Sequence, residues 1–73
     1  MMDAKTLERL HNSRDFLAFL EAVMEAREQY VRNLHDLDTA RLQQISGRIL
    51  AYDDVCATGK LDELREKWRK LEQ

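Results

Sequence analysis

Between positions 14 and 37, apolar residues recur at Phe16, Leu20, Val23, Tyr30, Leu34 and Leu37, spaced by threes and fours with one gap at 27. This is the repeat of an amphipathic helix. Phe19 and Ala26 widen the stripe on one side; Leu17, Met24 and Val31 widen it on the other. At about 100° per residue, the apolar sector spans roughly half the helix circumference. One facing helix cannot cover it. A second stretch, Leu42, Ile45, Ile49, Tyr52 and Cys56, follows the seam spacing of helices that pack at a shallow angle. Leu61, Leu64, Trp68 and Leu71 repeat it once more. No stretch alternates apolar and polar residues over a strand's length.

The punctuation between these stripes sets four helices. Asp3 is the expected N-cap of a short first helix, about 4–11. Ser13 caps the second, about 14–35, with Asp15 in its positive first turn. The segment His35-Asp36-Leu37-Asp38-Thr39 offers two Asp and a Thr as caps and reads as a turn between antiparallel helices. The third helix runs about 40–57, with Gly59 as its C′ residue. The last runs about 61–71, with Glu63/Lys67 and Glu66/Lys70 in the favourable i,i+4 order. The expected fold is all-α: one domain over 1–73, a long antiparallel helical hairpin with short flanking helices. The legs would be roughly 30 Å long. A single core of this size seldom supplies more than about 3–5 kcal/mol. Either the end helices fold back as a small bundle, or another chain covers the surplus apolar sector.

Composition narrows the function classes. The 73 residues hold no proline, two glycines and one cysteine; 44% are apolar and 36% charged. Ala, Leu, Glu, Arg, Lys, Gln and Met, the best helix formers, dominate. One cysteine makes neither an internal disulfide nor a Cys-based zinc site. The longest apolar run, Phe16 to Leu20, is far too short to span a bilayer, and no signal peptide is expected. Twelve Lys and Arg against fourteen Asp and Glu leave a net charge of -2, with no field to attract nucleic acid. The chain carries no phosphate-cradling glycine loop, no HExxH and no nucleophile elbow. An enzyme, a cofactor and a metal centre are therefore not expected. Asp53 and Asp54 point about 100° apart on a helix and cannot converge on an ion. His11 and His35 fall at helix ends, where capping or solvent is the plain reading. Cys56 reads as a small buried apolar residue.

Several residues break the pattern. Arg27 lies inside the apolar sector, one turn from Val23 and from Tyr30 and Val31. A turn centred near Asp38 brings Asp53 within its reach. Three readings are open: an Arg27–Asp53 pair that sets register, a guanidinium that meets an acidic group on a partner, or a stem that covers apolar surface. Gly47 interrupts the third helix at a cost of about 1 kcal/mol relative to alanine. It marks either tolerated exposure with a slight bend or a contact with a neighbouring subunit. Trp68 is either an anchor for the last helix or an intermolecular hot spot. The cluster Arg65, Lys67, Arg69 and Lys70 is interleaved with Glu63, Glu66 and Glu72 and reads as a solvated face.

The stretch Arg14-Asp15-Phe16-Leu17-Ala18-Phe19-Leu20, followed by Leu42-Gln43-Gln44-Ile45-Ser46-Gly47-Arg48-Ile49-Leu50-Ala51-Tyr52, resembles a group of short proteins from tailed bacteriophages. These carry an acidic-Phe-x-x-Phe-Leu start, a long helix, a turn, and a second helix containing Gln-Gly-Arg. The likeness covers about residues 14–55, and Ser46 stands where the group has glutamine. Phe16, Phe19, Gly47 and Arg48 are the matching positions. The resemblance implies a small virion or assembly component bound to a larger phage structural protein, in the bacterial cytoplasm or in the virion. The leading expectation is a non-enzymatic interaction protein that forms a homo-oligomer or docks on such a protein, with no membrane and no nucleic-acid partner. Its expected interaction surface is Phe16, Leu17, Phe19, Met24, Arg27, Val31, Gly47, Arg48 and Trp68. The alternative is a small regulator or inhibitor of a host enzyme, for which Glu21, Glu25, Glu28 and Asp36 give a partial acidic stripe.

Overall fold

Three short polar residues start three of the helices. In the computed structural model, which describes residues 3–34 and 37–72, the Asp3 carboxylate accepts the Thr6 amide at 2.7 Å and opens α1, Ala4–His11. The Ser13 hydroxyl accepts the Phe16 amide and opens α2, Arg14–Arg32. The Asp38 carboxylate accepts the Arg41 amide at 2.8 Å and opens α3, Thr39–Thr58. Each cap satisfies an amide that a helix start leaves unpaired. The last helix, α4, Leu61–Leu71, follows a left-handed Lys60 (φ 52°) and has no side-chain cap. The chain is all-helical, with no strand among the described residues. The expected end of the second helix at 35, and part of the expected turn, lie outside the described residues.

The α3 to α4 corner differs from the sequence expectation. Gly59 was expected at the left-handed C′ position, but its backbone is right-handed (φ -79°) and Lys60 takes that position. Glycine stands at 59 for another reason. A Cβ there would lie 2.8 Å from Leu20 Cδ1 and 3.1 Å from Phe16 Cζ. It is a close-approach glycine, where α3 ends against the side chains of α2.

The core is small and lies at one end. Leu20, Cys56, Leu61 and Leu64 are buried, and Phe16, Leu17, Val23, Met24 and Trp68 pack on them from the rim. α2 packs chiefly on α3, then on α4 and α1. Along α2 and α3 the partners are Leu20 with Cys56, Arg27 with Asp53, and Tyr30 with Tyr52 and Arg48. Residue numbers rise along one helix as they fall along the other. α4 turns back toward the start of α2: Arg65 binds Glu21, and Arg14 reaches both the Trp68 ring and Glu72. The far half of the α2–α3 pair, residues 27–34 and 39–52, thus extends beyond α4 and contains no buried residue. We refer to it as the arm.

The dimensions follow. The Cα radius of gyration is 14.7 Å and the extents are 44 × 30 × 15 Å. A compact chain of this length would have a radius near 11 Å.

Candidate functional site

Polar contacts fasten the core end. Arg65 grips Glu21 with two donors, Nε at 2.5 Å and Nη2 at 2.8 Å, a paired geometry that fixes orientation as well as distance. His11 Nε2 donates to the Gly59 carbonyl at 2.7 Å, and Lys67 reaches Asn12 Oδ1 at 2.6 Å. The first ties the α1 end to the α3–α4 corner, the second ties it to the middle of α4. His11 is therefore neither a helix cap nor a solvent group, and Lys67 turns to Asn12 rather than to Glu63. The Arg65 bond holds the Glu21 carboxyl below its ordinary 4.5. The charged form favours the fold, so its contribution is complete above about pH 4.5 and fades as pH falls through the lowered native value. Asp3, held down by the Thr6 amide, and Glu66, held down by Arg69, act in the same direction. Replacing Glu21 by Gln is expected to flatten, but not abolish, the acid-side loss of stability, as read from urea midpoints across a pH series.

The residues proposed for an interaction surface fall into two groups. Phe16, Leu17, Met24 and Trp68 are half-buried against the chain's own core. Trp68 anchors α4, and its indole Nε1 is buried with no hydrogen-bond partner. Phe19 (55% exposed), Val31, Gly47 and Arg48 lie outside. Arg27 belongs between the groups: its Nε donates to Asp53 Oδ1 at 2.5 Å and its Nη1 to Glu28 Oε1 at 3.1 Å. Of the readings open for Arg27, the cross-helix pair is the one present. Arg48 donates to the Tyr30 hydroxyl at 2.9 Å and lies over its ring, while Tyr30 stacks on Tyr52. Position 47 has open space, with nothing within 4 Å of an added Cβ. Gly47→Ala is expected to stabilise the isolated chain by about 1 kcal/mol, raising Tm by about 4–8 °C in a thermal melt.

Two apolar surfaces remain. One is a groove of about 330 Å³ between Phe16, Phe19, Val55, Thr58 and Gly59. The other begins in a groove of about 380 Å³ on the opposite side, floored by Met24, Asp53 and Ala57 and bordered by the first turn of α4. Helical spacing carries this second face outward along the arm, to Val31 on α2 and to Leu50 and Leu42 on α3. All three are exposed, Leu50 to 64%. Leu42 and Leu50 were not among the residues proposed from sequence. The seam pattern placed Leu42 inside and left Leu50 on the outer side of α3.

Little in the arrangement is reactive. Cys56 is buried, and burial pushes its thiol above the usual range, so it resists thiol reagents while the fold holds. No group of three or more His, Cys, Asp or Glu side chains converges among the described residues. No helix among them is long and apolar enough to cross a membrane. Comparison with protein-family models, curated proteins and solved structures finds no match to this chain.

Proposed function

We propose that this chain is a non-enzymatic interaction protein that docks through the arm, on itself or on a larger structural protein. In this reading α2 and α3 are the legs of a long antiparallel hairpin whose far half is built to be covered. The observation that carries it is the placement of Val31, Leu42 and Leu50 on a stretch with no buried residue of its own. Neighbouring apolar side chains left in water on a solvent-facing helix pair mark a contact surface more often than scattered single ones do. The likeness of residues 14–55 to short tailed-phage proteins gives the setting: a minor virion or assembly component, made in the bacterial cytoplasm. Repeated contacts in a ring or shell would let each weak one suffice.

A photo-crosslinking residue at position 50, introduced in the cell that makes the protein, tests the reading. Adducts with the chain itself or with a virion structural protein are expected, identified by mass spectrometry. No adduct at position 50 would contradict docking through the arm. An adduct with a host enzyme alone would replace the assembly role with that of a small regulator.

A further inference from the structure

We infer that the arm is covered by a second copy of this chain, arm against arm, an inference that rests on the docking reading above. Area is the first ground. The chain exposes 5710 Å², whereas a compact monomer of its mass would expose roughly 4,700 Å². The excess of about 1,000 Å² is close to the roughly 800 Å² that each partner contributes to a standard interface.

Shape is the second ground. The core end has α4 laid on the α2–α3 pair, and the arm is the pair alone, so the molecule has a step where α4 begins. Two such steps interlock about a twofold axis across the arms, each arm filling the space beside the other's α4. The contact is isologous: the same patch serves both copies, so the assembly closes at two. Four helices then surround Val31, Leu42 and Leu50 from both copies, the arrangement of a four-helix bundle.

Sedimentation equilibrium over a concentration series, with circular dichroism on the same samples, tests the inference. The wild-type chain is expected to pass from monomer to dimer as concentration rises. Leu50→Lys keeps a helix-favouring residue at an exposed site. It should leave the helical signal unchanged and raise the dimer Kd at least about tenfold. Phe19→Lys, on the opposite face, should leave Kd unchanged. A wild-type chain monomeric at its highest soluble concentration would overturn the pairing. So would a Leu50→Lys dimer as tight as wild type, or dissociation by Phe19→Lys instead. A monomer that still crosslinks from position 50 to another protein would end the pairing while leaving the docking reading intact.

Discussion

Replacing Leu64 with alanine is expected to cost about 2–5 kcal/mol and to lower Tm by more than about 10 °C. Leu64 is 0% exposed and sits among Leu20, Cys56 and Leu61, the buried cluster of the described residues. Truncation there loses the transfer energy of the removed carbons and leaves a cavity that neighbours only partly refill. In a chain this short, total stability seldom exceeds about 3–5 kcal/mol, so the variant should be largely unfolded at room temperature. Leu50→Ala is the reference, because Leu50 is exposed and should stay within about 0.5 kcal/mol of wild type when the chain is dilute. Circular dichroism melts of the two variants check the placement of the core. Equal losses would mean that burial is not concentrated where α4 meets α2.

Gly59→Ala is expected to destabilise by about 1–3 kcal/mol, through crowding rather than backbone strain. The φ of -79° suits any residue, but the new Cβ would press on both Leu20 methyls at 2.8 and 3.2 Å and on Phe16 at 3.1 Å. Leu20 is 1% exposed, so its side chain and that of Phe16 must both shift to admit the methyl. The neighbouring change should have the opposite sign. Lys60 holds a left-handed conformation that costs a side-chain-bearing residue about 1–2 kcal/mol, so Lys60→Gly should gain up to about 1 kcal/mol. Denaturant midpoints for the two single variants read both signs directly. A gain at 59 or a loss at 60 would show the corner to be built differently.

Much of the helical layout was legible because it is local. Asp3 and Ser13 cap the helices they were expected to cap, and Asp38, one of three candidates offered for the third helix, caps that one, since a cap depends on the amide three residues on. The Arg27–Asp53 contact was legible too, because two charged residues inside apolar stripes, within about one helical turn of facing each other across the expected turn, narrow each other's choice of partner. The path of α4 was not legible. Its direction depends on Arg65 meeting Glu21 and Arg14 meeting Trp68 and Glu72 across long separations, and charge pairs on a busy surface leave many equivalent matches. The part played by Gly59 was hidden for the same reason: its demand for space comes from Leu20, 39 positions away, and a glycine just past a helix looks like an ordinary terminator. The exposed apolar strip on the arm was legible only as a surplus. The width of the apolar sector on α2 says that something must cover it, but not that α4 spends itself on Leu17 and Met24 and leaves Val31, Leu42 and Leu50 outside.

Amide hydrogen exchange on the dilute chain, read by peptide fragments, measures that division of labour most directly. Protection follows the free energy of local opening, which is low where few apolar contacts are buried. Amides of residues 27–34 and 39–52 should exchange much faster than those of α4 and of α2 around Leu20. Protection as strong along the arm as at the core end, in the chain without a partner, would contradict the claim that the arm is made to be covered.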